Sequence, residues 1–174
     1  MGALTAPRAL EGLETVTVLD VGCGIRPQQI VPAERSVGVD IHQPYLDTLH
    51  GDYICSDWRP ALRSFKRDAF DLVIALDFIE HLYRRDGHQF LSAAKRVGRA
   101  VAIFTPLGPF PQSYVPGESD GWGMDGGYWQ THRSAWTPDD FNGWQVEVCE
   151  GFHIHDAAKR LLPEPIDAFW AVKR

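Results

Sequence analysis

Residues 18–24 read Val-Leu-Asp-Val-Gly-Cys-Gly, an apolar run that leads directly into two glycines. The run predicts a buried strand, and the two glycines let the backbone turn closely against a ligand at the carboxyl end of that strand. A dinucleotide fingerprint, G-x-G-x-x-G, would need a third small residue where Pro27 stands. The stretch therefore predicts a ligand-binding crevice and disfavours a nicotinamide-dependent oxidoreductase.

Further β-branched and aromatic runs recur along the chain and predict six or seven strands. The first five runs are almost continuously apolar, as in parallel strands buried on both faces, and the last two are expected to pair antiparallel at one edge. The expected fold class is α/β, with a doubly wound, mostly parallel seven-stranded sheet and an antiparallel C-terminal edge strand. The predicted strands are 16–21, 36–40, 52–56, 70–76, 99–104, 144–149 and 168–172.

The clearest helical pattern covers residues 86–97, where apolar side chains recur at helical spacing. Asp86 is a candidate N-cap for this helix, and Gly98 is expected to end it. Shorter helices are predicted in two further segments, 44–50 and 59–67.

Two connections depart from a regular α/β pattern. Between residues 24 and 36, Pro27 and Pro32 leave room only for a short or distorted first crossover helix. Residues 105–136 are rich in glycine, proline and aromatic residues and show neither strand nor helix periodicity, so we expect a lid or substrate-binding loop. After this loop, Thr137-Pro138 predicts a helix start with Thr137 as N-cap.

Composition limits the class of protein. The 174 residues are 44% hydrophobic, which is typical of one globular domain, here 1–174. The net charge of -6 disfavours a nucleic acid partner, and the absence of an apolar run near 18 residues disfavours a membrane partner. We expect a cytoplasmic protein. Its three cysteines, Cys23, Cys55 and Cys149, are expected to be reduced core thiols.

Asp40 ends the second predicted strand, where a carboxylate accepts hydrogen bonds from the ribose hydroxyls of an adenosine-containing cofactor. The alternative is that Asp40 only caps the following turn through His42 and Gln43. Ser56-Asp57-Trp58 likewise places an acidic residue, Asp57, at the end of the third predicted strand.

From Thr15 to about Lys173, the order of these elements resembles that of class I S-adenosylmethionine-dependent methyltransferases. The resemblance implies S-adenosylmethionine as cofactor and S-adenosylhomocysteine as product. It also implies that residues 18–24 form the methionine-side loop, that an acidic residue after the second strand binds the ribose, and that one after the third strand reaches the adenine amino group. The implied cofactor residues are Asp20, Gly22, Cys23, Gly24, Asp40, Ile41, Asp57, Trp58 and Asp77.

The stretch from Phe70 to Leu82, Phe-Asp-Leu-Val-Ile-Ala-Leu-Asp-Phe-Ile-Glu-His-Leu, is similar to the fourth-strand motif of that family. Asp77 and His81 are candidate catalytic residues because methyl transfer to a hydroxyl needs a base. Asp77, Glu80 and His81 also resemble the divalent-ion cluster of ubiquinone O-methyltransferases, although those enzymes have Glu where Asp77 stands. We expect no metal here. The alternative is that Glu80 and His81 cap the following turn.

A second candidate cluster lies at the end of the long loop. His132 is a candidate base, and Tyr128, Trp129 and Arg133 are candidate acceptor contacts. The alternative is that His132 is only a packed, hydrogen-bonded side chain. A further pair, His153-x-His155, is expected to be solvent-exposed.

These residues predict an enzyme that methylates a hydroxyl of a small molecule or of a glycan or natural-product acceptor. Nothing resembles the fourth-strand motif of N-methyltransferases, whereas Gly22 to Pro27 and His132 to Phe141 look like short methyltransferases of glycan or natural-product modification. The competing hypothesis is a non-catalytic methyltransferase-like module or partner subunit. A homodimer is left open.

Overall fold

The computed structural model describes residues 4–15, 17–115, 117–156 and 159–174. The elements follow one another as β1 (Thr17–Val21), β2 (Arg35–Asp40), α1 (Gln43–Leu46), β3 (Asp52–Cys55), α2 (Trp58–Ser64), β4 (Phe70–Leu76), α3 (Arg84–Val97), β5 (Gly98–Pro106), α4 (Gly127–Gln130), β6 (Gln145–His155) and β7 (Leu161–Lys173). Single 3₁₀ turns cover Arg8–Leu10, Ile79–His81 and Pro138–Asp140. Residue 16, with which the first predicted strand begins, lies outside the described residues.

The seven strands form one sheet in the order β3-β2-β1-β4-β5-β7-β6. Strands β1 to β5 pair in parallel, and β7 pairs antiparallel with both β5 and β6. The predicted fold class is therefore confirmed. The strand order reverses between β1 and β4, and this reversal opens a crevice above the carboxyl ends of the two strands.

The two faces of the sheet are covered differently. Helices α2 and α3 cover one face, where Leu62, Phe90 and Ala94 are wholly buried against the strands. On the other face, the covering residues come from turns and irregular segments, such as Leu10 and Ile30, in place of a second helical layer.

The first crossover contains no helix, so the predicted short helix is wrong. Residues 22–34, all of which are described, form turns and bends. Pro27 interrupts helical hydrogen bonding, and side chains stabilise the segment instead. The Gln28 amide donates to Asp20 (2.8 Å), while the Gln28 side-chain oxygen accepts from the amides of Ile30 and Val31 (2.8 and 3.2 Å).

Helix boundaries also differ from the prediction. Helix α3 begins at Arg84 after an extended Tyr83, so Asp86 lies in the first turn and is not the N-cap. Gly98 ends the helix as predicted. The helices predicted in 44–50 and 59–67 are present but shorter. No described helix is long and apolar enough to cross a membrane.

After the long loop, Thr137 and Asp140 form the predicted helix start as a reciprocal capping box, although the turn that follows is a single 3₁₀ turn. The three cysteines are free. Cys23 is a buried thiol as expected, whereas Cys149 is half-buried and Cys55 is exposed, because Cys55 ends β3 at the edge of the sheet.

Candidate active site

An open cleft of about 1400 Å³ lies above the carboxyl ends of β1, β2 and β4 and extends under the long loop. Every residue that the sequence predicted for the site lines this cleft, with the exception of Gly24. The structure therefore brings together the two clusters, after β4 and in the long loop, that lie about 50 residues apart in the chain.

The glycine turn after β1 adopts a conformation that only glycine accepts without strain. Gly22 has a φ of +75° and Gly24 a φ of +55°. A Cβ atom on Gly22 would overlap the ring of Phe78, and one on Gly24 would lie 2.5 Å from the ring of Trp122. Gly24 is absent from the lining because Trp122 covers it.

Asp40 organises this turn. Its Oδ2 atom accepts from the Gly24 amide (3.0 Å), and its Oδ1 atom accepts from the His42 amide (2.9 Å). The bond to His42 is the turn cap that the sequence left open as the alternative. Each carboxylate oxygen has a second lone pair, so the observed bonds leave capacity for a ligand hydroxyl.

Asp20 lies beneath the turn and is 2% exposed. Burial raises its pKa to about 7, the hydrogen bond from the Gln28 amide opposes that shift, and the charge of Asp40 adds to it. A buried carboxylate of this kind destabilises the fold when it is ionised.

Replacing Asp20 with asparagine should therefore raise stability at neutral pH. Because the folded-state pKa lies above the unfolded value, the folded chain retains a proton between about pH 4 and 7, and stability falls as the pH rises through this window. An asparagine side chain does not ionise, so Asp20→Asn does not lose stability as the pH rises through this window. We expect its advantage over the wild type to grow from about pH 4 to a plateau above pH 7, on the order of 4 kcal/mol. Urea denaturation at several pH values tests this, and a pH-independent difference would contradict it.

Asp57 and Trp58 occupy the start of α2. Asp57 is the N-cap and accepts from the Arg59 amide (2.7 Å), and its carboxylate also pairs with the Arg59 guanidinium (3.1 Å). Trp58 is 6% exposed and packs edge-to-face on Phe90 at 5.6 Å. It therefore borders the cleft mainly as a core residue.

The long loop folds across the end of the cleft that borders the glycine turn after β1. Asp120 accepts hydrogen bonds from the amides of Trp122, Met124 and Gly126 and from the hydroxyl of Tyr45. These bonds tie residues 120–126 to α1 and place Trp122 against the Tyr45 ring at 4.8 Å.

The opposite end of the cleft is lined by the turn after β4. Asp77 has a φ of +45°, which is uncommon for a residue with a side chain. Glu80 is 2% exposed, and its Oε2 atom accepts from the Thr105 hydroxyl (2.9 Å). Burial raises the pKa of both carboxyl groups. The side chain of Glu80 caps no helix, since α3 has no side-chain cap.

His81 and His132 face each other with ring centroids 4.9 Å apart. Their Nδ1 atoms lie against backbone carbonyl oxygens, those of Thr131 (3.4 Å) and Phe110 (2.5 Å) respectively. Burial lowers the pKa of His81 to about 3 and also lowers that of His132. Both imidazoles are therefore neutral at pH 7.

Arg133 holds the loop together. Its guanidinium donates to the carbonyl oxygens of His81 (3.0 Å), Thr131 (2.9 Å) and Tyr128 (2.5 Å). These bonds use three of the five N–H groups of the side chain that the sequence assigned to the acceptor. Tyr128 and Trp129, in contrast, are 67% and 38% exposed at the mouth of the cleft.

His153 is buried at 5% exposure, so the prediction of an exposed His153 is wrong, whereas His155 is exposed. The β6–β7 register shifts on both sides of His153 and breaks the expected alternation. Its Nε2 atom lies 3.9 Å from Asp77 Oδ1, and neither atom has a hydrogen-bond partner within the described residues.

Comparison with known proteins identifies the family. Residues 19–104, about half of the chain, match the family model of a methyltransferase domain. The chain belongs to the class I S-adenosylmethionine-dependent methyltransferases. No curated protein sequence is significantly similar to it.

Solved structures share this methyltransferase fold. An S-adenosylmethionine-dependent methyltransferase from Archaeoglobus fulgidus is 20% identical, with a TM-score of 0.58 over 92% of this chain and 87% of that one. Magnesium protoporphyrin IX methyltransferase from Synechocystis PCC 6803 is 14% identical (TM-score 0.54; 94% and 72% covered). The N-terminal domain of EvdMO1, solved with S-adenosylhomocysteine, is also 14% identical (TM-score 0.56; 95% and 76% covered). At these identities, the likeness concerns the fold.

In this methyltransferase, Asp40→Ala is expected to weaken S-adenosylmethionine binding by about 10- to 100-fold. The variant loses two ribose hydrogen bonds, on the order of 1–3 kcal/mol, and leaves the Gly24 and His42 amides without their acceptor. Isothermal titration calorimetry measures the affinity. Asp52→Ala, which removes an exposed carboxylate on β3, is the control. Unchanged affinity in Asp40→Ala would remove Asp40 from the cofactor site.

Sequence reasoning missed Tyr45 and Trp122, which line the methyltransferase cleft, and Asp120, which accepts hydrogen bonds from both of them. Tyr45 and Asp120 lie 75 positions apart, and nothing local pairs them. The turn Asp120-Gly121-Trp122-Gly123 did carry a signal, because an aspartate before glycines commonly accepts hydrogen bonds from the amides that follow.

Proposed function

We propose that this methyltransferase transfers the methyl group of S-adenosylmethionine to a hydroxyl oxygen of a small-molecule or glycan acceptor. The cofactor supplies a methyl group activated on a sulfonium. Asp20, Gly22 and Cys23 would border its methionine part, Asp40 and Ile41 its ribose, and Asp57 and Trp58 its adenine. Asp77 would lie between the cofactor and the acceptor.

The observation that carries this proposal is the continuity of the cleft. The same cleft borders the glycine turn after β1 and the facing imidazoles of His81 and His132. Methyl transfer needs the acceptor oxygen in line with the sulfur–methyl bond, so both partners must share one cavity.

The end of the cleft lined by the turn after β4, where the methyl acceptor would bind, carries groups that can take up a proton. His81, His132 and Asp77 present lone pairs towards the cleft, and neutral imidazoles receive a hydrogen bond from an approaching hydroxyl. When bound, S-adenosylmethionine would supply the methyl group and would retain the electron pair of the broken carbon–sulfur bond as S-adenosylhomocysteine. The hydroxyl proton passes to one of these three groups.

The side chains at the mouth of the cleft favour an acceptor with flat apolar faces, such as a sugar ring or a hydroxylated natural product. Tyr83, Tyr128 and Trp129 are exposed there. The guanidinium of Arg133 stacks on Tyr128 at 4.7 Å and fixes that side of the mouth. Aromatic rings stack on such ligands without requiring charge.

The test is methyl transfer from isotope-labelled S-adenosylmethionine to a panel of hydroxylated acceptors, with matched amines as the comparison. We expect label in an O-methyl group, located by NMR, and formation of S-adenosylhomocysteine. Transfer only to amines would overturn O-methylation. Tight cofactor binding with no transfer to either panel would favour the non-catalytic partner subunit.

A further inference from the structure

We propose that Glu80, His81 and His132 form a binding site for one divalent transition-metal ion. A carboxylate oxygen and one nitrogen from each imidazole lie within 4.8 Å of one another. The binding of the ion does not depend on the proposed function, whereas its role in the reaction does.

The backbone enforces this approach between two distant segments. Glu80 and His81 lie in the 3₁₀ turn after β4, and His132 lies in the long loop. The amides of Arg133 and Ser134 donate to the Glu80 carbonyl oxygen at 2.8 and 3.0 Å. The main chain therefore holds His132 beside the turn irrespective of what the side chains do.

Among the described residues, no hydrogen bond joins the side chains of Glu80, His81 and His132 to one another. The Oε1 atom of Glu80 is buried and has no hydrogen-bond partner in the described part of the chain. A carbonyl oxygen only accepts, so the 2.5 Å contact with Phe110 places the hydrogen of His132 on Nδ1 and leaves Nε2 as an acceptor. His81 has the same arrangement towards the Thr131 carbonyl. A cation satisfies all three acceptors at once.

The donor set indicates the class of ion. Two imidazoles and one carboxylate favour zinc, cobalt(II) or iron(II), whereas magnesium and calcium prefer sites made entirely of oxygen. The bonds of both Nδ1 atoms to backbone carbonyls are the outer contacts that orient metal-binding histidines in proteins.

This ligand set differs from the cluster that the sequence suggested. Asp77 is replaced by His132, and the Asp77 Oδ1 atom lies instead 3.9 Å from His153 Nε2. The proposed ion also departs from the expectation, made from the sequence, that this methyltransferase lacks a metal. On the proposed function, the ion would bind the acceptor oxygen and lower the pKa of its hydroxyl, and Asp77 would take the proton.

The experiment measures binding of zinc and cobalt(II) to the full chain after removal of metals with a chelator, without any cofactor. We expect one ion per chain by calorimetry, a visible ligand-field spectrum with cobalt(II), and a higher melting temperature. Glu80→Gln, which retains an oxygen to accept from Thr105, and His132→Ala should each weaken zinc binding at least about 10-fold.

Two controls keep the test decisive. His50→Ala should bind zinc like the wild type, and Asp77→Asn, which removes a neighbouring charge but no ligand, should weaken zinc binding less than His132→Ala does. Circular dichroism shows that each variant is folded. No stoichiometric binding, or binding lost in Asp77→Asn and retained in His132→Ala, would overturn the site. Binding of S-adenosylmethionine is measured separately on the metal-free chain, so failure of the metal site and failure of the proposed function give different results.

Discussion

Replacing Gly22 with alanine is expected to weaken S-adenosylmethionine binding by at least about 100-fold. The φ of +75° costs a residue with a Cβ about 1–2 kcal/mol, and that Cβ would also overlap the Phe78 ring. Phe78 has little freedom to move because it packs edge-to-face on Phe90 at 5.1 Å. The turn must therefore shift away from the position that holds the cofactor.

Gly12 offers a matched control for this prediction. Its φ is +70°, and nothing lies within 4 Å of the position that its Cβ would occupy. Gly12→Ala should therefore lower stability by about 1 kcal/mol through backbone strain and leave cofactor affinity unchanged. Calorimetric titration of both variants with S-adenosylmethionine tests this prediction. Wild-type affinity in Gly22→Ala would mean that the turn does not hold the cofactor.

Trp136→Ala should lower the free energy of unfolding by about 3–5 kcal/mol, the usual cost of removing a large buried aromatic side chain. Trp136 is 0% exposed and packs on Phe141 with ring centroids 5.8 Å apart. Its indole nitrogen donates to the Ser134 hydroxyl (2.8 Å), and the Arg84 guanidinium lies 4.4 Å from its ring. The residue anchors the end of the loop that carries His132.

Trp129→Ala is the comparison, because Trp129 belongs to the same loop but is 38% exposed at the cleft mouth. Trp129→Ala should lower the free energy of unfolding by less than about 1 kcal/mol and change only the binding of the acceptor. Urea denaturation of the two variants measures the difference. Equal stability would show that Trp136 does not anchor the loop.

Local signals predicted most of the sheet. The apolar run that leads into Gly22 became β1 and its turn, and the helix before Gly98 ended where predicted. These features depend on neighbours in sequence, so periodicity and glycine placement were sufficient. Strands β1, β4 and β5 are buried on both faces, as their continuous apolar character predicted. The prediction is wrong for β3, which is half-buried or exposed because it forms the edge of the sheet.

The errors arose where distant contacts decide the structure. Asp86 is not the N-cap because Tyr83 takes that position before Arg84, and Arg59 pairs with the Asp86 carboxylate at 2.8 Å. His153 turned inward because a strand irregularity interrupts the alternation between its neighbours. At the site, the residue types were predicted, but the approach of His132 to Glu80 depends on long-range backbone bonds that no local pattern encodes.

We propose that the cleft above β1, β2 and β4 binds S-adenosylmethionine. Isothermal titration of the purified chain with S-adenosylmethionine, S-adenosylhomocysteine and NAD is the first measurement to make. We expect one site of micromolar or tighter affinity for the first two ligands and none for NAD. Binding of NAD, or no binding of either sulfur compound, would contradict it.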